Sequence, residues 1–77
     1  MNIREGFYYT NLKGEVVIAK KAMYNSKYYP FQMFHLNTNK LAYTVTLDGR
    51  WDVNSTINDN YDITEELSPK EYPEYYL

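Results

Sequence analysis

The stretch Leu41 to Trp51, L-A-Y-T-V-T-L-D-G-R-W, constrains this chain more than any other. Leu41, Tyr43, Val45 and Leu47 alternate with Ala42, Thr44 and Thr46, so one face is apolar and the other is small and polar. That period of two is the mark of a half-buried antiparallel strand. Asp48-Gly49 then supplies a turn, because glycine tolerates the positive φ that tight hairpin turns need. The stretch therefore predicts a strand that folds back and returns Arg50 and Trp51 beside Thr46 and Leu47.

The rest of the chain extends this pattern. Gly6-Phe7-Tyr8-Tyr9-Thr10 and Glu15-Val16-Val17-Ile18-Ala19-Lys20 are rich in aromatic and β-branched residues and flank the turn-forming Asn11-Leu12-Lys13-Gly14, which predicts a hairpin. Pro30 biases Tyr29 towards extended backbone. Phe31, Met33 and His35 then share one face of a strand, and Gln32, Phe34 and Leu36 share the other. Asn37 to Lys40 reads as a polar turn, Val53 to Asn60 as a loop and Tyr61 to Thr64 as a short closing strand. About five short strands at this spacing predict an all-β domain. The expected form is a small antiparallel sheet curled into an SH3-like, partly closed barrel, with an open meander that dimerises through its edges as the alternative. Residues 1–66 form the domain. Residues 67–77, with two prolines and three tyrosines, are expected to form an extended, acidic C-terminal arm, which either packs across a partner or folds back on its own sheet to cover an edge.

A chain of 77 residues without cysteine cannot lean on disulfides. Its core must come from ten Tyr, three Phe and one Trp together with the aliphatic residues. Self-association is a common remedy for so small a core, and a homo-oligomer is expected. No apolar run approaches the length of a membrane span, and Met1 to Glu5 has no signal-peptide character, so a cytoplasmic protein is expected.

The net charge of −2 hides an uneven distribution. Up to Leu47 six cations (Arg4, Lys13, Lys20, Lys21, Lys27, Lys40) face Glu5 and Glu15, whereas from Asp48 onward eight carboxylates face Arg50 and Lys70. The halves either attract each other within the fold or present a basic and an acidic surface.

The order and spacing of several short motifs carry a resemblance. Gly6-x-Tyr8-x-Thr10-x-x-x-Gly14, Tyr29-Pro30-Phe31, Thr46-Leu47-Asp48-Gly49-Arg50-Trp51 and Asp62-Ile63 together resemble a group of small β proteins encoded widely by bacteriophages, over residues 6–63. The resemblance implies a phage accessory product, of a kind that counters host defence or redirects host enzymes, acting in the host cytoplasm.

The residues argue against catalysis. His35 is the single histidine, flanked by Phe34 and Leu36, and no serine sits in an elbow motif beside it. It reads as a structural or surface residue. No catalytic residue, metal ligand set or cofactor is expected: zinc lacks ligands, and the Asp/Asn loop lacks the order of a calcium hand. Binding is the better expectation. Lys20, Lys21, Lys27 and Arg50 lie among Tyr24, Tyr28, Tyr29 and Trp51, where a ring can stack on a base while a cation meets phosphate. Tyr28, Tyr29, Arg50, Trp51, Lys20 and Lys21 are thus the candidate ligand or partner site, and Tyr72, Glu74, Tyr75 and Tyr76 the candidate partner-binding arm. The leading expectation is a non-enzymatic protein that neutralises a host bacterial defence or regulatory protein. A sponge for a small phosphorylated signalling ligand is the alternative, and a structural role in a virion is a third. Duplex nucleic acid is disfavoured, since its affinity comes from many cations.

Overall fold

The computed structural model describes residues 1–22, 27–55 and 58–77. Five strands follow one another: β1 (Tyr8–Asn11), β2 (Val16–Lys21), β3 (Phe31–His35), β4 (Leu41–Val45) and β5 (Ile63–Leu67), and a 3-10 helix spans Pro73–Tyr76. They form one antiparallel sheet in the order β4-β3-β2-β1-β5. No helix among the described residues is long and apolar enough to cross a membrane.

The strand faces follow the sequence pattern. Tyr9, Val17, Ala19, Met33, Tyr43 and Val45 point to one face and, with Ile3, Phe31 and Ile63, make the core. The opposite face carries a row in which Leu67 pairs with Tyr8, Tyr8 with Ile18, Ile18 with Phe34 and Phe34 with Leu41, crossing all five strands. Tyr9 lies fully inside, yet its hydroxyl reaches the rim, where it accepts a hydrogen bond from Arg4 N at 2.8 Å and donates to Glu66 at 3.3 Å. Burial of Tyr9 raises its pKa above the ordinary tyrosine value. Arg4 also donates to both oxygens of Glu66 at 2.9 Å.

The turns are set by particular residues. Asn11 caps the β1–β2 turn with its carbonyl, which accepts from Gly14 N, and with its side-chain oxygen, which accepts from Glu15 N. Asn39 takes φ 56° in the turn between β3 and β4, a conformation asparagine tolerates better than most residues.

Three expectations require correction. First, the sheet does not close: Asp48-Gly49 returns Arg50 beside Thr46, as expected, but among the described residues no strand follows against β4. The chain runs into a loop, and the last strand pairs with β1. The sheet is not closed by a β4–β5 ladder; one backbone bond, from Ile63 N to Gly49 O at 2.8 Å, links the two ends of the sheet. Second, the register shifts between Met33 and Phe34, so Leu41 lies opposite Phe34 on the outer face instead of following Tyr43 inward. Leu47 lies beyond the strand end, and both leucines are 52% exposed. Third, residues 68–77 are not extended. They turn at Ser68–Glu71 and bring the 3-10 helix back onto β1. There the Tyr76 hydroxyl sits between two backbone groups, accepting from Tyr8 N at 2.8 Å and donating to Leu67 O at 2.7 Å. The rings of Tyr75 and Tyr76 cover Tyr8, which explains why Leu67 is buried although it points away from the core.

Candidate functional site

The turn after β4 builds one rim of the molecule. Thr46 organises it: its N–H donates to Arg50 O at 2.8 Å, its carbonyl accepts from Gly49 N at 3.0 Å, and its hydroxyl accepts from Arg50 N at 2.9 Å while donating to the Asp48 carboxylate. Gly49 has φ 89°, and its backbone presses against Ile63 and Ile3, leaving no room for a side chain. Asp62, nearly buried, holds the far side of the loop by accepting from Trp51 N at 2.8 Å and from Asp59 N at 3.0 Å. A guanidinium N–H of Arg50 donates to Ser55 O, which fixes the side chain along the loop. Tyr29 braces the same loop, its hydroxyl accepting from Val53 N at 3.1 Å.

Beside this rim lies an open cleft of about 420 Å³ whose wall includes Asn2, Lys27, Tyr28, Thr46, Asp48 and Arg50. Tyr28 is 56% exposed as a residue, and Lys27 Nζ stands 5.6 Å from its ring centroid. The cleft thus combines an exposed aromatic residue, Lys27, Arg50, Asn2 and Asp48 with the apolar Leu47 and Val53, the Arg50 guanidinium being bonded to Ser55 O and the Asp48 carboxylate to the Thr46 hydroxyl. A planar group can stack on such a ring while an anionic group meets the cations.

Of the residues expected to act together, the structure joins Tyr28 and Arg50 in the cleft and sets Tyr29 behind the adjoining loop. Trp51 is directed elsewhere. The residue is 42% exposed and its ring meets Tyr61 edge-on at 5.7 Å; Tyr61 in turn lies 4.9 Å from Tyr43, so these rings lead from the surface to the core. Lys20 extends over Phe34 on the outer sheet face, 4.8 Å from the ring centroid. Lys21, at the end of β2, is exposed, and its backbone N–H donates to Glu5 at 2.9 Å. Neither lysine lines the cleft, because the alternation of β2 turns Lys20 to the outer face and the cleft wall is formed by the loops after Ser26 and after β4. Tyr24 lies outside the described residues. In the C-terminal segment Tyr75 and Tyr76 are half-buried against β1, Tyr72 packs on Tyr75 at 6.2 Å, and Glu74 is exposed.

A second group of polar residues escaped the sequence reading. Asn11 Nδ2 donates to Tyr43 OH at 3.0 Å and to Glu15 Oε1 at 3.1 Å, and Glu15 Oε2 stands 3.3 Å from His35 Nε2. Burial pushes the Tyr43 hydroxyl up to about 12, against the lowering effect of its bond from Asn11. The Asn11 hydrogen bond holds the Glu15 carboxyl below the usual carboxylate range, helped by His35 and Lys13. The asparagine was legible only as a turn residue; its partners come from β3 and β4, and no local pattern connects them. A cavity of about 260 Å³ adjoins His35 and is lined also by Glu15, Val16, Leu36 and Asn37, a set without a nucleophile. Among the described residues no three His, Cys, Asp or Glu side chains are grouped to hold a metal ion.

No protein-family model, curated protein or solved structure matches the chain.

Proposed function

We propose that this chain is a non-enzymatic accessory protein of the phage type, which binds and neutralises a component of a bacterial defence or regulatory system in the host cytoplasm. The observation that carries the proposal is the exposed Tyr28 ring standing in one cleft with Lys27 and Arg50. Tyrosine and arginine are among the residue types that dominate binding energy at protein interfaces, and both line this cleft. The SH3-like form of the fold belongs to the same proposal: the bond from Ile63 to Gly49 draws the two ends of the sheet together at one corner, as a partly closed barrel requires.

The test is capture from a bacterial lysate by the tagged chain, beside the Tyr28→Ala variant. Tyr28 is exposed, so the substitution leaves the fold intact while removing the ring. A partner retained by the native chain and lost by the variant supports the proposal. An identical set of captured proteins from both refutes it for this cleft.

The dimensions of the cleft favour a second reading, in which the captured component is a small phosphorylated ligand. Its volume lies within the roughly 300–1,000 Å³ of small-molecule sites. In this reading Tyr28 stacks on the base, and Lys27 and Arg50 meet phosphate. Titration calorimetry with a panel of nucleotides separates the two readings: heat that Tyr28→Ala and Lys27→Ala both abolish favours the ligand, and no heat with any nucleotide favours a protein.

A further inference from the structure

We infer that the Tyr28 cleft reads guanine, the Asp48 carboxylate accepting the two adjacent N–H donors of that base. The inference rests on the second reading above, in which the cleft holds a small phosphorylated ligand, and it names the base. Asp48 is exposed and shares the cleft wall with Lys27, Tyr28 and Arg50. The turn holds its carboxylate in place. The Thr46 hydroxyl donates to it and accepts from Arg50 N at 2.9 Å, and Gly49 N closes the turn on Thr46 O at 3.0 Å. Thr46 is buried, which ties the carboxylate to the body of the fold. An ionised carboxylate has about four acceptor sites on its two oxygens. Among the described residues the Thr46 hydroxyl is the one donor to Asp48, and no cation stands within ion-pair distance of it.

A carboxylate with open acceptor sites calls for donors. Guanine sets two of them side by side on its pairing edge, the ring N–H and the exocyclic amino N–H. Adenine and cytosine each place a ring nitrogen lone pair beside their one amino group, and uracil flanks its N–H with two carbonyls. Each of these bases therefore sets an acceptor against Asp48, and acceptors that face each other lose the hydrogen bonds they had with water. The remainder of the cleft agrees. Tyr28 offers a ring on which the base stacks. Lys27 and Arg50 bring positive charge for the phosphate, and Arg50 keeps its charge there although a guanidinium N–H is bonded to Ser55 O. An arginine side chain from a protein would give Asp48 a similar pair of parallel N–H donors. It would also bring a third cation into a cleft that already holds two and whose lining contains one carboxylate. A guanine nucleotide supplies the donor pair and the anionic charge together.

Titration calorimetry with the monophosphates of guanosine, inosine, adenosine, cytidine and uridine tests the inference on the native chain. All carry the same phosphate, and the inosine compound differs from the guanosine compound by the missing amino group alone. Guanosine monophosphate is expected to bind roughly 10–100-fold more tightly than the others, the discrimination of one bidentate contact. Asp48→Asn keeps an oxygen that accepts from Thr46 and exchanges the other for an amide nitrogen. In that variant guanosine monophosphate should weaken by the same factor. Xanthosine monophosphate, whose carbonyl accepts where the guanine amino group donates, should strengthen. The panel on the native chain needs no variant, so the inference is tested whatever the substitution does to the turn. Equal affinities for every base, all lost in Tyr28→Ala, leave the ligand reading in place and overturn guanine. A guanine preference that Asp48→Asn leaves intact overturns Asp48 as its reader. No heat from any nucleotide removes the ligand reading and this inference with it. Heat from N-acetylargininamide that Asp48→Asn abolishes, with none from guanosine monophosphate, assigns the carboxylate to a protein guanidinium and overturns guanine as well.

Discussion

Replacing Tyr76 by Phe removes one oxygen atom and leaves the ring that packs on Phe7 at 5.8 Å and Tyr8 at 5.0 Å. That oxygen bridges Tyr8 N and Leu67 O, a pair of residues opposite each other in the β1–β5 ladder. The variant therefore deletes two hydrogen bonds and leaves a backbone donor and acceptor facing an apolar ring. Each bond contributes about 0.5–1.5 kcal/mol net, and groups left without a partner under partial cover raise the cost, so the expected loss is roughly 1–3 kcal/mol. In a domain of this size about 1 kcal/mol corresponds to roughly 4–8 °C in Tm, which is readily resolved. Urea denaturation followed by tyrosine fluorescence and circular dichroism gives the same quantity as a shift in midpoint at constant slope. Tyr75→Phe is the control. Its ring meets Tyr8 at 5.5 Å, its hydroxyl makes no hydrogen bond among the described residues, and a change within about 0.5 kcal/mol is expected. If Tyr76→Phe also falls within about 0.5 kcal/mol, the C-terminal segment does not hold β1 and β5 together, and the account of why Leu67 is buried fails with it.

Other expected outcomes follow from the same physics. Gly49→Ala sets a Cβ 2.9 Å from the Ile63 Cβ and 3.3 Å from Ile3 Cδ1 at a φ of 89°, so left-handed strain of about 1–2 kcal/mol adds to overpacking of about 1–3 kcal/mol in a chemical melt. Asn11→Ala frees Glu15 and Tyr43 of their shared partner; the Glu15 carboxyl should titrate closer to its ordinary value by NMR, and stability should fall by about 1–3 kcal/mol. Stability should also fall as pH rises from 10 towards 12. Tyr43 keeps its proton in the fold up to about 12, whereas the unfolded chain releases it near 10, so over that window the unfolded state binds fewer protons and gains. At the acid end the sign reverses for Glu15: its depressed pKa contributes stability above the ordinary carboxylate value that is lost as pH falls through the folded value, and Asn11→Ala should flatten that part of a pH–Tm profile.

The fold was more legible than the site, and particular residues show why. β-Branched composition along Val16–Lys21 and alternation along Phe31–His35 and Leu41–Val45 are local properties of the chain, and they identified these strands and, for the latter two, most of their faces. Leu41 was read to the wrong side because a bulge depends on how β3 and β4 meet, which alternation within either strand does not encode. Tyr28 and Arg50 were selected by chemistry, and the structure puts them in one cleft. Lys20 and Trp51 were selected by the same chemistry, and they went to Phe34 and Tyr61. Nearness in sequence to an aromatic residue says nothing about which of several rings a side chain will meet. The C-terminal segment shows a related limit. Its prolines ruled out a long helix, but whether the tyrosines reach outward or return to β1 depended on two backbone groups, at Tyr8 and Leu67, that only the assembled sheet leaves between strands.

By itself the sequence determined that this is a sheet of short strands, where the chain turns, and that aromatic side chains must supply its interior. Those properties follow from the alternation of side chains and the φ preferences of glycine and asparagine, which act over a few residues. The tertiary structure alone decided that the last strand joins β1 instead of β4, that β4 is the strand at the opposite end of the sheet, and which rings and cations share a cleft. These outcomes depend on which distant segments can pack together without clash or unpaired backbone groups, a condition imposed by the whole chain and by no one stretch of it.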